Sequence, residues 1–307
     1  MAILKLKPAC KNYLWGGRRL VEEFGIDCDK KILAEAWMLS CHPDGASTIE
    51  GGESLINYIN HHGTEILGTN CRNFRDFPVL IKFIDARENL SVQVHPPDDY
   101  ALTHEKQLGK NEMWYILDAE ENSLLYCGFK KKISREEFIA RIKNNSLVEV
   151  LNAITARRGD VIFIPSGTIH AVGKGVLLAE IQQNSNVSYR IFDYGRGRPL
   201  QIEKALDVTN LNPSTARGEN YPHIAACDYF VVDKLNLDGK ILSEVQGVVY
   251  EKTFLSVLIL GGEGKISCSD EEFFYRKGDS FFLTAGAGDW KICGSCDALL
   301  TAVPNHE

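Results

Sequence analysis

The stretch Gly159–His170 reads GDVIFIPSGTIH, and its spacing, G-x5-P-x-G-x2-H, assigns a physical job to each fixed residue. Gly159-Asp160 makes a tight turn, Val161 to Ile164 is a β-branched and aromatic strand, and Pro165-Ser166-Gly167 turns the chain again. His170 then opens a new strand and points into whatever that corner encloses. Upstream, Leu90 to Ala101 reads LSVQVHPPDDYA, placing Gln93 and His95 two residues apart and therefore on one face of a strand. Glu112 follows His95 by seventeen residues, in GKNEMWYIL, at the head of another apolar strand. Strands folding back on one another would converge these side chains on one point, and together they read as a metal site.

The two halves resemble the paired motifs of the cupin superfamily, small double-sheet jelly rolls whose barrel mouth holds a metal. The first motif departs from the usual H-x-H, because Gln93 stands where a first histidine would be. Gln-x-His, then Glu, then a distant His is similar to the pattern of the type I phosphomannose isomerases. WGG at Trp15 to Gly17, LIKFIDARENLSVQVHP at Leu80 to Pro96 and EIQQNSNVSYRIFDYGR at Glu180 to Arg196 resemble the same family, in the family's order. The resemblance is strong up to about residue 210 and weak beyond.

The resemblance implies a mainly β fold of two cupin-type jelly-roll barrels with a helical insertion in the N-terminal half. It implies an aldose-ketose isomerase interconverting mannose 6-phosphate and fructose 6-phosphate with one Zn²⁺ per chain. Gln93, His95, Glu112 and His170 would hold the metal, Arg190 would be the catalytic arginine, and Lys82, Ser91 and Lys110 match polar active-site positions. The expected domains are 1–225, catalytic, with the insertion at about 134–154, and 226–307, a degenerate cupin-like β domain without metal ligands.

The residues carry an independent reading. A chain of 307 residues, 44% hydrophobic and 24% charged, is ample for two ordinary domains. A net charge of −7 gives no general drive toward nucleic acid or anionic membranes, so a bound phosphate must meet local basic groups. MAILKLKPACKN lacks an apolar signal core, and no stretch approaches the ~18 apolar residues that span a bilayer. A cytoplasmic location is expected. The nine cysteines show no disulfide framework, reduced thiols are expected, and Cys293-Gly-Ser-Cys296 is a lone CxxC without a second pair.

Along the chain, Leu4 to Trp15 and Ala34 to Cys41 read as short strands, and Ser54 caps a helix running toward Gly63. Pro78 to Asp85 is an apolar strand, with Leu90 to His95 expected to pair with it. Asp98 is expected to cap a short helix to about Gln107, and Glu112 to Leu117 and Ser123 to Phe129 read as strands. Ser134 and Glu137 form a capping box ahead of Phe138, Ile142, Leu147, Leu151 and Ile154, which keep a mostly helical spacing. Strands are expected at Val161 to Ile164, Val176 to Gln182 and Val187 to Tyr194, then a helix at Gln201 to Asn210. From about Asp228 short strands resume. Gly278 to Asp289 repeats the spacing of Gly159 to His170, with Thr284 for the proline and Asp289 for the histidine, as in a second jelly roll without its ligands.

Two imidazoles, a carboxylate and an amide oxygen suit zinc, with Fe²⁺, Mn²⁺ or Co²⁺ as alternatives. His42, His61, His62, His104, His223 and His306 fit neither motif and are expected mostly in loops or at the surface, His42-Pro43 being a mimic of His95-Pro96. Moving a proton between neighbouring carbons requires a base and stabilisation for an enediolate. Arg190 offers a guanidinium that stays protonated and donates two hydrogen bonds; its plain structural alternative is a strand-edge arginine paired with Asp193 or Glu180. Lys82 lies inside the apolar VLIKFID, where an unpaired ammonium is costly, so a phosphate or carboxylate partner is implied. Glu180, Lys110 and a metal-bound water all stand open as the base, and Glu180 could instead orient a ligand. No GxGxxG or P-loop is present, so no nucleotide is implied. Rival readings are an iron dioxygenase, which the basic residues suit less well, and a non-catalytic sugar-phosphate sensor.

Overall fold

A computed structural model describes residues 2–214 and 223–305. The fold is mainly β, and among the described residues no helix is long and apolar enough to cross a membrane. Two compact units divide the chain, one from 2–12, 18–83 and 223–305, the other from 13–17 and 84–214.

In the first unit a nine-stranded sheet runs, in spatial order, through His223–Ala226, Val231–Asp238, Gly288–Ala302, Leu255–Cys268, Ser280–Leu283, Ile3–Lys7 and Thr48–Ile49, with Glu244–Val249 and Glu271–Arg276 pairing off this path. Val257, Ile259, Ile266, Phe281, Trp290, Ile292 and Ala298 are buried on its inner face and form one apolar core. The N-terminal strand packs here, with Ile3 opposite Leu283. That pairing joins residues some 280 apart, and no local pattern announces it. The two CxxC cysteines lie on the Gly288–Ala302 strand as free thiols, three residues apart and so on opposite faces.

The second unit holds a five-stranded sheet in the order Tyr189–Phe192, Val92–Val94, His170–Val172, Leu124–Phe129, Leu151–Thr155. It also holds an antiparallel group in which Glu112–Ala119 lies between Val161–Ile164 and Val176–Gln183. The two-residue period of a strand decides what faces where. Val92, Val94, Ile169, Ala171, Tyr189 and Ile191 belong to an apolar cluster with Phe138 and Ala205, residues of the helices Arg135–Lys143 and Ile202–Val208. The residues between them, Gln93, His170 and Arg190, therefore project from the opposite face.

Four expectations need correcting. The hydrogen-bonding pattern gives open sheets and not closed barrels. The strand Val92–Val94 pairs with His170–Val172 and Tyr189–Phe192, and not with Val79–Ala86, because sequence adjacency yields to a longer-range match. The helix after Ser134 stops at Lys143; Leu147–Val150 is a 3₁₀ turn, and Leu151 and Ile154 lie in a strand against Leu124–Phe129. Leu151-Asn-Ala-Ile-Thr holds two β-branched residues, and pairing with a neighbouring edge outweighs a helical spacing three residues long. Finally, Pro97 occupies the N-cap and Asp98 the first helical position of Asp98–His104; the Asp98 carboxylate accepts instead from the Gly109 N–H at 2.7 Å. Ser54 and Ser134 do cap their helices, accepting from the N–H groups of Asn57 and Glu137.

Candidate metal centre

Three side chains from three strand ends meet in the second unit. Ligand atoms of His95, Glu112 and His170 all lie within 4.8 Å of one another, and all three residues are buried. His95 Nε2 is 3.4 Å from one Glu112 oxygen and His170 Nε2 3.4 Å from the other.

The far side of each imidazole fixes its chemistry. His95 Nδ1 lies 2.9 Å from the Val187 carbonyl and His170 Nδ1 2.9 Å from the Thr168 carbonyl. A carbonyl only accepts, so each Nδ1 carries the hydrogen and each Nε2 turns a lone pair toward Glu112. Burial lowers both imidazoles, His95 to about 4 with Lys110 adding to the effect, so both are neutral. Burial pushes the Glu112 carboxyl up, but the Lys110 ammonium beside it outweighs burial and holds it well below its usual range.

Lys110 Nζ stands 2.6 Å from Glu112 Oε2, 3.2 Å from His95 Nε2 and 3.5 Å from Glu180 Oε1. The Glu112 contact is an ion pair. Neither Glu112 oxygen nor His170 Nε2 has a hydrogen bond among the described residues, although all three atoms are buried. Glu112 Oε1 and His170 Nε2 lack even the ion pair that Oε2 has, and a buried polar atom without a partner costs about 1–3 kcal/mol, more for a charge. A divalent cation answers that cost, and two neutral imidazoles with one carboxylate are donors that suit zinc.

Family models match at both ends of the chain: phosphomannose isomerase type I, catalytic domain, over residues 3–130, and mannose-6-phosphate isomerase, cupin domain, over 220–303. The chain is 34% identical to the mannose-6-phosphate isomerase of Streptococcus mutans over 96% of both chains. It is 35% identical to a probable mannose-6-phosphate isomerase of Bacillus subtilis, covering 97% of this chain and 98% of the relative. The chain belongs to the type I phosphomannose isomerases. The structure of the mannose 6-phosphate isomerase from Bacillus subtilis matches with a TM-score of 0.87 at 31% identity, over 98% of this chain and 99% of that one. A mannose 6-phosphate isomerase bound with zinc and yttrium shares the fold, with a TM-score of 0.79 at 18% identity.

Within this phosphomannose isomerase the other expected residues divide. Gln93 stands directly opposite His170 in register, and its Oε1 accepts from the Ser188 hydroxyl at 2.6 Å, leaving its second lone pair. Arg190 stands opposite Gln93 on the other side. Its Nε donates to Ser91 Oγ at 3.3 Å and its Nη1 to the Pro199 carbonyl at 2.9 Å. Asp193, one of the two carboxylates that would have made Arg190 purely structural, is bridged by Arg196 at 2.7 Å and Arg198 at 2.5 Å. Lys82 is buried in the first unit and has a carboxylate partner, Glu35, at 3.7 Å, so the sequence argument for a partner is met within the protein.

Trp114 was not anticipated. Its Nε1 donates to Glu180 Oε2 at 3.0 Å, and its ring stands edge-on to His170 with centroids 5.6 Å apart. The signal was available: Trp114 is two residues after Glu112, hence on the same strand face. His61, His104 and His223 are exposed as expected, and His306 lies outside the described residues. His42 is buried, its Nδ1 accepting from the Asp44 N–H at 3.1 Å, with no part in the cluster.

Proposed function

We propose that this isomerase interconverts mannose 6-phosphate and fructose 6-phosphate, with one zinc ion held by Gln93 Oε1, His95 Nε2, Glu112 and His170 Nε2. The observation that carries the reading is the buried corner where Glu112 Oε1 and His170 Nε2 stand 3.4 Å apart, neither with a hydrogen bond among the described residues. When bound, zinc supplies a Lewis acid that polarises the sugar's oxygens.

The chain's own residues supply the rest. Glu180 and Lys110 are the acceptor and donor for a proton moved between adjacent sugar carbons through a cis-enediol. Glu180 is held for this by Trp114, which occupies Oε2 and leaves Oε1 toward Lys110. Arg190 spends two of its donors on Ser91 and Pro199, and the remaining donors stabilise the enediolate or the phosphate. The same reading takes the metal-bearing module and the module after about residue 226 as two jelly rolls, the second without metal ligands.

A coupled isomerase assay before and after chelation, with zinc added back, tests the assignment. Activity should be lost and then recovered; turnover that survives complete zinc removal overturns it. In heavy water the recovered sugar should carry some solvent deuterium, whereas none would favour hydride transfer. Lys110→Ala should weaken sugar phosphate far more than free sugar, and equal loss for both removes Lys110 from phosphate binding. Lys82→Ala, at an ammonium 3.7 Å from Glu35, should show the same selective loss, and equal loss for both sugars removes Lys82 from phosphate binding.

A further inference from the structure

The three segments that deliver His95, Glu112 and His170 are tied together by side chains outside the metal cluster. Asn111 precedes Glu112. Its Oδ1 accepts from the Ser166 N–H at 2.8 Å, in the turn four residues before His170. Its Nδ2 donates to Gln183 Oε1 at 2.7 Å, and its own backbone N–H donates to the same oxygen at 2.6 Å. Gln183 is buried, ends the strand that carries Glu180, and sends its Nε2 to Asp98 Oδ1 at 2.9 Å, three residues beyond His95. Asp98 Oδ1 also takes the Gly109 N–H at 2.7 Å, pinning the loop that leads back to Lys110.

We infer that Asn111 and Gln183 form a clip that sets the spacing of the three metal ligands, and so are positioning residues for metal affinity. The inference rests on the proposed zinc site. Every polar atom of the two amides has one orientation in this chain of bonds. Gln183 Oε1 accepts twice and its Nε2 faces a carboxylate, so flipping the amide would break all three contacts. The Asn111 amide is likewise fixed, with its oxygen on an N–H and its nitrogen on an oxygen. A metal that needs its ligands about 2.0–2.2 Å away tolerates little drift, and outer partners that hold ligands in place are worth about 10–100-fold in affinity.

The test is zinc affinity by competition with a chromophoric chelator, on full-length wild type, Asn111→Ala, the milder Asn111→Ser at this half-buried position, and Gln183→Ala. The expected result is a loss of about 10–100-fold in zinc affinity for Asn111→Ala, less for Asn111→Ser. The double variant should lose no more than the worse single one, because both cut the same clip. Excess zinc should restore kcat, which a general loss of fold would not allow. Zinc affinity within twofold of wild type in both Asn111 variants, or kcat unresponsive to added zinc, overturns the clip. A wild-type protein that binds no zinc overturns the metal site itself, a separate outcome.

Discussion

The turn-strand-turn segment that ends at His170 and the one that ends at Asp289 share one pattern of backbone hydrogen bonds and do different work. In the first, Arg157 N–H donates to Asp160 Oδ2 at 2.8 Å, Gly159 N–H to the Ile116 carbonyl at 2.8 Å, and Ile116 N–H to the Asp160 carbonyl at 3.0 Å. In the second, Arg276 N–H donates to Asp279 Oδ2 at 2.9 Å, Gly278 N–H to the Ile259 carbonyl at 3.0 Å, and Ile259 N–H to the Asp279 carbonyl at 2.9 Å. Even the bulge recurs, with register shifting at Leu177/Leu178 beside Ile116 and at Ile259/Gly261.

Aligning the two frames shows what was exchanged. Glu112 lies opposite Ile164, as Leu255 lies opposite Leu283; Trp114 opposite Ile162, as Val257 opposite Phe281; Glu180 opposite Trp114, as Leu300 opposite Val257. His170 is buried whereas Asp289 is exposed. Four positions separate a metal centre from an apolar interior. A buried carboxylate is stable only with partners, so Glu112 stands with His95, His170 and Lys110, whereas Leu255, at the matching place, packs against an apolar core.

The largest test of this comparison is to import the second module's residue into the first. Glu112→Leu should abolish zinc binding and lower kcat by about 10³ or more, the loss of several kcal/mol of charge stabilisation, with the far-UV spectrum unchanged. Turnover near wild type would break the claim that chemistry resides in those positions. Next, the shared frame should cost the same on both sides. Ile116→Ala and Ile259→Ala, each fully buried, should each lose about 2–5 kcal/mol, read by hydrogen exchange within the respective sheet. Removing zinc should separate them again: at a free concentration a hundred times the dissociation constant, binding is worth about 2.7 kcal/mol. Chelation should accelerate exchange in Glu112–Ala119 and leave Leu255–Cys268 unmoved.

The smallest effect concerns the two turn glycines, which share a left-handed φ of 89° at Gly159 and 91° at Gly278. An added Cβ at Gly159 meets nothing within 4 Å, whereas at Gly278 it falls 2.2 Å from the Phe24 carbonyl oxygen. Gly159→Ala should cost about 1–2 kcal/mol for conformation alone, and Gly278→Ala measurably more, by thermal or denaturant unfolding. Equal costs would mean that the neighbour yields.

Much of this was legible locally. The repeat of Gly278 to Asp289 was visible in spacing, and the alternation of Val92, Gln93, Val94 and His95 already separated a core face from a ligand face. The helix after Ser134 was found but extended too far, because Leu147, Leu151 and Ile154 satisfy a helical spacing while their partners, on Leu124–Phe129, lie outside any local window. Trp114 was missed because an indole in an apolar strand looks like core, and only its reach to Glu180 shows a second use. The same limit applies to Lys82: its sequence demands a partner, and the fold names Glu35.

Sequence alone determined which residues could be ligands, which faces they occupy and which turns aim them, since those follow from residue type, strand period and glycine or proline at fixed offsets. Tertiary structure alone decided that His95, Glu112 and His170 meet, which nitrogen of each imidazole is available, and that the first strand closes against Leu283. The reason is physical: side-chain direction is a local property of the backbone, whereas convergence and desolvation depend on segments that only packing brings together.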